Sequence, residues 1–504
     1  MTTAAAPPAV TLDGRSLTPR QVVDVAIGGA PVRISGAARE RNLAAQRLVS
    51  GLVDRGELLY GVTTGVGMLR TSAVEPLDQP EQQRRLLRSH AGGGGAPLPV
   101  EVVRAAMTVR ANQLGAGGAG VSESLYDNLL TALELNLTPL TRELGSLGTG
   151  DLTVLADIGL ALVGEGRVWR DGELTDAGRA LSDAGLQPAT LGPRDGIAFM
   201  SSNAAAIGQA AIVCTDAQRL MRSAIAVAAL SFEATGADLA VLDPRVHHAR
   251  PHPGQIEVAA QLRELLGDWG MREKTPRAGD PGVHDSFVFR CVPQVEGVLL
   301  DSLRHLEQVL GVELNVAGEN ALLLPRDGIA LPNGNFHAGI LTLALDTLRG
   351  AMAQSASLVA ARVSALLDPA VTGLPAQLAA HPGPDSGAMI LEYTAHAAAA
   401  EVRSLAAPAV SQTTSVQGGI ESHANFASHA ARRTSDAVSR MAVAVSAELV
   451  LAVRALRLRG VEPRGPDTRA FFEAAGTVLD ADMRDRPLAD DLEAARRLLF
   501  EAPA

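Results

Sequence analysis

Few side chains in this sequence have the reach for chemistry. Tyr60 opens the run Tyr60-Gly61-Val62-Thr63-Thr64-Gly65-Val66-Gly67. Its three glycines predict a mobile loop carrying a phenol at its base. Glycine clusters recur at Gly92 to Gly95 and Gly115 to Gly120. Neither follows a predicted strand or carries the Lys-Ser/Thr of a nucleotide-binding loop, so a phosphate cradle is not indicated. The only lysine, Lys274, lies in the polar run Arg272-Glu273-Lys274-Thr275-Pro276. A Schiff-base enzyme needs a desolvated lysine, which this context does not offer. Cys214 and Cys291 are far apart in apolar surroundings and read as buried reduced thiols. His247 and His248 are adjacent, diverge in any regular structure, and have no cysteine or carboxylate at ligand spacing, so a structural loop is expected and no metal.

The elements that must position these groups are mostly helices. Thr18-Pro19 has the form of a capped helix start. Helical patterns then cover Ala37 to Arg55, Gln83 to His90 and Val100 to Gln113. Further on, Val292, Val295, Leu299, Leu303, Leu306 and Leu310 recur at helical spacing, as do Val438, Met441, Val445, Leu449 and Leu456. Ala338 to Leu367 and Ala388 to Leu405 are rich in Ala and Leu, and a helix of about 30 residues would be about 45 Å long. Such stripes predict an extended bundle. No fixed-period repeat or flexible linker separates independent domains.

At 504 residues and 47% hydrophobic, the chain can bury large cores, and with only 3% aromatics those cores must be filled by Ala, Leu and Val. A net charge of -11 argues against nucleic acid or anionic membrane surfaces as partners. Met1 to Val10 reads as a disordered tail, not a secretory signal. Apolar stretches such as Ala224 to Phe232 and Met441 to Ala447 are cut by Glu233 and Glu448, short of the ~20 residues of a membrane span. A cytoplasmic protein with a small-molecule substrate is expected.

Several motifs occur in one order: Tyr60 to Gly67, Leu87-Arg88-Ser89-His90-Ala91-Gly92, Gly145-Ser146-Leu147-Gly148, Gly150-Asp151-Leu152, Gly164-Glu165-Gly166, Arg250-Pro251-His252-Pro253-Gly254-Gln255, Asp285-Ser286, Arg290-Cys291, Pro293-Gln294-Val295 and Gly334-Asn335-Phe336-His337. From about Leu12 to its end the chain resembles the histidine, phenylalanine and tyrosine ammonia-lyases and aminomutases. The resemblance implies a mainly α fold, a long antiparallel helical bundle with a smaller N-terminal region. One integrated fold is expected, with residues 1–10 as tail, 11–200 as the N-terminal region and 201–504 as the bundle. It also implies a homotetramer whose active sites are assembled from several subunits. Family enzymes use no external cofactor; an internal Ala-Ser-Gly cyclises and loses water to give a methylidene-imidazolone electrophile, while a tyrosine removes the β-proton. Carried over by motif, Tyr60 is the catalytic base, Arg290 pairs with the substrate carboxylate, His90 meets the polar ring of the substrate, and Asn320 and Glu421 line the site.

Three positions depart from that pattern. Where the family has Gly, Ala-Ser-Gly, Asp-Leu, this chain has Gly148-Thr149-Gly150-Asp151-Leu152, one residue shorter and without serine. With the gap placed upstream, Thr149 takes the serine position and its dehydration would give a bulkier ethylidene group. Alternatively, Thr149 is simply a helix N-cap. The family tyrosine of Asp-Ser-Tyr is Phe287, and the family asparagine of Gly-Leu-Ala-Leu-Ile-Asn-Gly is Ser201. Read together, these changes predict that no methylidene-imidazolone forms and that there is no cofactor. The expectation from sequence is therefore a divergent enzyme without the electrophile. It would use Tyr60 as acid/base in an elimination, addition, isomerisation or cyclisation of a small aryl or imidazolyl carboxylate that supplies its own activation, because a phenol ordinarily titrates near ~10. The alternatives are a non-catalytic binding or regulatory homologue, and a conventional histidine-like ammonia-lyase.

Overall fold

The computed structural model describes residues 7–75, 79–267 and 285–501. Lys274 and its polar run, and the first six residues of the expected tail, lie outside them. Val10, the last residue of that tail, is already buried and pairs in parallel with Val32. The fold is mainly α, as expected, with short two- and three-stranded sheets between helices.

The first helix, Pro19–Ala26, starts on Thr18 with a full capping box: the Thr18 side chain accepts from the Gln21 N–H and the Gln21 side chain accepts in return from the Thr18 N–H. Gly36–Asp54, Gln79–His90, Val100–Leu114, Gly339–Leu367, Ile390–Leu405 and Ala427–Arg459 follow the periodic stretches within a few residues, except that Gln79–His90 and Ala427–Arg459 begin earlier. His247 and His248 lie in the short helix Pro244–His248 instead of a loop. His247 is held there by the Val241 carbonyl and the Gln255 amide. Among the described residues no metal-binding group of His, Cys, Asp and Glu occurs. Both cysteines are free, and burial pushes the Cys214 thiol up to about 12.

By length and composition two segments, 195–235 and 339–367, reach what a membrane span needs; the first contains Ala224 to Phe232, which was expected to fall short of one. In the first, 94% of the apolar window is buried inside the protein, which is how a core helix passes the same test.

Two compact units divide the chain out of sequence order. One comprises residues 1–215, 306–345 and 408–432; the other comprises 216–305, 346–407 and 433–504.

In the first unit the helices Gln79–His90, Leu152–Leu162 and Asp195–Met200 pack on one another. Leu152–Leu162 is apolar on nearly every side and is accordingly buried all round. Gly159 lets Leu87 approach: a Cβ there would lie 2.8 Å from the Leu87 side chain. Asp157 is the exception on this helix. Burial raises its carboxyl to about 6, against a smaller pull from Arg142. A carboxyl raised on folding binds protons more readily in the folded state, so this group makes stability fall as pH rises from about 4 to 6. Asp157→Asn should therefore be more stable than wild type at pH 7, by about 1 kcal/mol after allowance for partial exposure, with the gain gone below about pH 4. Denaturant titrations at the two pH values measure it.

The second unit contains buried ionic links between helices. Arg362 donates to both carboxylate oxygens of Glu448 at 2.8 and 3.0 Å, with both side chains fully buried. Ser231 donates to the same carboxylate, and Ser355 donates to Glu296, whose carboxyl is pushed up by burial. The stripe Val438, Met441, Val445, Leu449 and Leu456 is at most 5% exposed within the single chain. It is therefore covered within the chain itself and needs no partner subunit to bury it. The exposed apolar side chains are others, among them Ile340, Met389, Ile390 and Tyr393.

Candidate active site

The turn bearing Thr149 is held on both flanks. Gly148 and Gly150 have φ of +86° and +112°, and a Cβ on Gly148 would sit 2.0 Å from the Asn425 side-chain oxygen. Only glycine fits at 148. The Gly148 carbonyl accepts from the Asn425 Nδ2 at 2.6 Å and from the Ala338 N–H at 3.2 Å. The Gly150 N–H donates to Asn203 Oδ1 at 3.0 Å, and Asn203 Nδ2 donates to the Phe336 carbonyl at 2.6 Å. Thr149 is not the helix cap. That position is Asp151, which makes no capping bond either. Its buried carboxylate instead accepts from Ser146, Ser428 and the Ala206 N–H, and burial pushes its carboxyl up despite these bonds. The cap fails at Thr149 because Gly150, between it and the helix, takes the left-handed φ that a helical residue cannot.

This donor set suits a self-made imidazolone. Ring closure needs a carbonyl whose developing negative charge is stabilised and an amide whose proton has an acceptor. The Gly148 carbonyl has two donors and the Gly150 N–H has an acceptor, so the residues present fit the group. Asn203 and Asn425 were not among the residues singled out from sequence. Asn203 lies two positions beyond Ser201, and Asn425 four beyond Glu421; only the fold brings their amides to the turn.

Tyr60 is half-buried and its hydroxyl oxygen accepts from the Gly67 N–H at 2.9 Å. Its loop is tethered by more than glycine content suggested. The Gly61 carbonyl accepts from Gln83 Nε2 at 2.8 Å, while Gln83 Oε1 accepts from the Ile197 N–H at 3.0 Å, and Gln83 is fully buried. The turn Gly67–Leu69 packs against Gln417–Gly419, immediately before Glu421, so Tyr60 and Glu421 belong to neighbouring loops. Ser201 accepts from the Asn320 N–H at 3.1 Å. Behind this contact Arg110 donates to Glu319 at 2.9 Å and to the Ala198 and Phe199 carbonyls, in a fully buried pair. His90 ends its helix with Nδ1 2.8 Å from the Leu86 carbonyl. A carbonyl only accepts, so Nδ1 carries the hydrogen and Nε2 of the neutral ring is left as an acceptor.

The first unit therefore brings together Tyr60, Glu421, the Thr149 turn, Ser201 and Asn320, with His90 on the helix cluster beneath. Phe287 and Arg290 belong to the second unit. Phe287 is 68% exposed, and the Arg290 guanidinium carbon lies 5.4 Å from its ring centroid, a cation–π contact. Arg290 is half-buried.

The mainly helical fold and this arrangement belong to one class: residues 17–477 match the family described as aromatic amino acid lyase, and the chain is a member of it. Relatives include the histidine ammonia-lyase of Treponema denticola, 35% identical over 492 residues, which span 97% of this chain and 96% of that protein. Another, from Symbiobacterium thermophilum, is 37% identical over 487 residues, covering 96% of each. Among solved structures, the ergothioneine-degrading ergothionase of Treponema denticola superposes with a TM-score of 0.91 at 27% identity, over 97% of this chain and 98% of that one. Full-length relatives named histidine ammonia-lyase overturn the expectation of a divergent, electrophile-free enzyme.

Proposed function

We propose that the protein is a histidine-type ammonia-lyase, converting an α-amino acid with a polar aromatic side chain into ammonia and the α,β-unsaturated acid. Whole-length identity with histidine ammonia-lyases supports this, and the observation that carries it is the doubly hydrogen-bonded Gly148 carbonyl beside the Asn203-bound Gly150 N–H. In this reading Thr149 replaces the family serine. The Gly150 nitrogen would bond to the Gly148 carbonyl carbon, whose oxygen would leave as water with the amide hydrogens of Gly150 and Thr149, leaving a double bond from that carbon to the Thr149 nitrogen. Thr149 then loses its hydroxyl and its Cα hydrogen as a second water, leaving a Cα=Cβ double bond. A group of this kind supplies the electrophile that makes ammonia a feasible leaving group.

The chain's own residues do the rest. Tyr60 takes the β-proton as its phenolate and becomes the neutral phenol, and the Gly67 N–H aimed at its oxygen stabilises the phenolate charge before the proton arrives. His90 Nε2 accepts from a ring N–H or O–H of the substrate. Asn320 and Glu421 are proposed to contact the substrate from the loops described above.

Ring selection provides the test. A site built to hydrogen-bond a ring donor rejects the analogue without one by about 10⁴-fold in kcat/KM. Purified protein should deaminate histidine, with ammonia and the conjugated acid appearing together, and discriminate against phenylalanine by about that factor. Equal rates on both would remove His90 from recognition, and turnover of neither would end the reading.

We also propose a homotetramer, supported by the exposed Ile390 and Tyr393, three residues apart on the helix Ile390–Leu405, which a second copy of the chain would cover. Light scattering should give four times the chain mass of 52.2 kDa. A monodisperse monomer contradicts it.

A further inference from the structure

Two histidines outside the assigned site converge beside the Thr149 turn. His337 Nε2 lies 2.9 Å from His423 Nδ1, with the rings 5.0 Å apart and tilted by 47°. The Gly339 N–H points at His337 Nδ1 at 3.3 Å. A backbone N–H only donates, so Nδ1 is the acceptor, Nε2 carries the hydrogen, and His337 donates to His423. The direction of the bond is therefore set by the backbone.

The placement of this bond is informative. His337 stands between Phe336, whose carbonyl accepts from Asn203, and Ala338, whose N–H donates to the Gly148 carbonyl. His423 stands two residues before Asn425, which supplies the other donor to that carbonyl and whose own N–H binds the Leu147 carbonyl at 3.1 Å. The two donors to Gly148 thus come from two chain segments far apart in sequence. A second tie joins them, from Thr342 Oγ1 to Asn425 Oδ1 at 3.2 Å, and it is buried. The histidine pair is the outer tie, in a half-buried to exposed position.

We infer that the His337–His423 hydrogen bond is a clasp that fixes both donors on the Gly148 carbonyl, making the two histidines positioning residues for self-modification of the turn. Its effect on water loss rests on the threonine reading above. Its effect on the donors does not. The hydrogen bonds of the two rings go to each other and to Gly339, not to the turn, so each acts through a neighbour in sequence. A side chain that keeps the hydrogen bond should therefore substitute. In His337→Gln the side-chain amide nitrogen can donate as the imidazole does, and in His423→Asn the side-chain amide oxygen can accept.

The experiment pairs hydrogen exchange with mass. In His337→Phe and His423→Leu the Ala338 and Asn425 amides should exchange about tenfold faster, and loss of two waters by newly made protein should slow by about tenfold, as expected for one hydrogen bond. His337→Gln and His423→Asn should remain within about twofold of wild type in both. Unchanged exchange at Ala338 and Asn425 in His337→Phe overturns the clasp, whether or not water is lost. So does acceleration spread across the whole unit, which would mean general loosening. Wild-type protein that keeps both waters overturns the threonine reading alone, and the exchange result still decides the clasp.

Discussion

Tyr60→Phe should lower kcat for histidine by about 10²- to 10⁴-fold, the usual contribution of a positioned general base. The substitution removes one oxygen, and with it the acceptor of the Gly67 N–H at 2.9 Å. Gly67 is only partly buried, so water can take up that donor, and the cost to folding is about 1 kcal/mol or less. The loop keeps its other tethers, the Gln83 bridge to Gly61 and Ile197 and the Gly65 N–H to the Ser72 carbonyl. KM should therefore move little, because the interaction lost is one made in proton transfer, not in ground-state binding. Exchange of the substrate β-hydrogen with deuterated solvent gives a second readout and should be lost in parallel. A variant that retains about half of wild-type turnover would mean that Tyr60 only anchors its loop.

A larger loss is expected at the turn itself. Thr149→Ala removes the hydroxyl that must leave as water, so the electrophile cannot form and turnover should fall by about 10⁴-fold or more; a median enzyme rate of about 10 per second is out of reach for an unactivated amine. Thr149→Ser retains the leaving hydroxyl and should keep activity, with one methyl group fewer on the resulting double bond. The contrast between Ala and Ser separates chemistry from packing, since neither adds volume to a half-buried position. Gly148→Ala serves as a geometric control: its Cβ would meet the Asn425 oxygen at 2.0 Å and displace the stronger of the two donors.

How far the sequence went can be seen at particular residues. The capping box at Thr18 and the helical stripes depend on local spacing, and the corresponding helices occur within a few residues of where they were expected. The stripe from Val438 to Leu456 was legible as a buried face, but not what buries it, because periodicity fixes a face and not its partner. The chemistry of the turn was the least legible. Ser201 in place of an amide suggested that support for the turn had been lost, whereas Asn203, two residues on, puts an amide against Gly150. Likewise Asn425, from a segment nearly 280 residues away, supplies the donor on Gly148. Such convergence is set by tertiary packing and leaves no periodic or motif signal in a single sequence. Phe287 is an exposed ring in contact with Arg290, within the second unit.

Intact-protein mass spectrometry of the purified wild-type chain tests the central claim most directly. If Gly148-Thr149-Gly150 builds the electrophile, the mass will be lower than that of the encoded chain by two waters, Thr149→Ser will show the same deficit, and Thr149→Ala will not show the water from its side chain. A wild-type chain at its full encoded mass, in protein that nevertheless turns over histidine, would contradict the account.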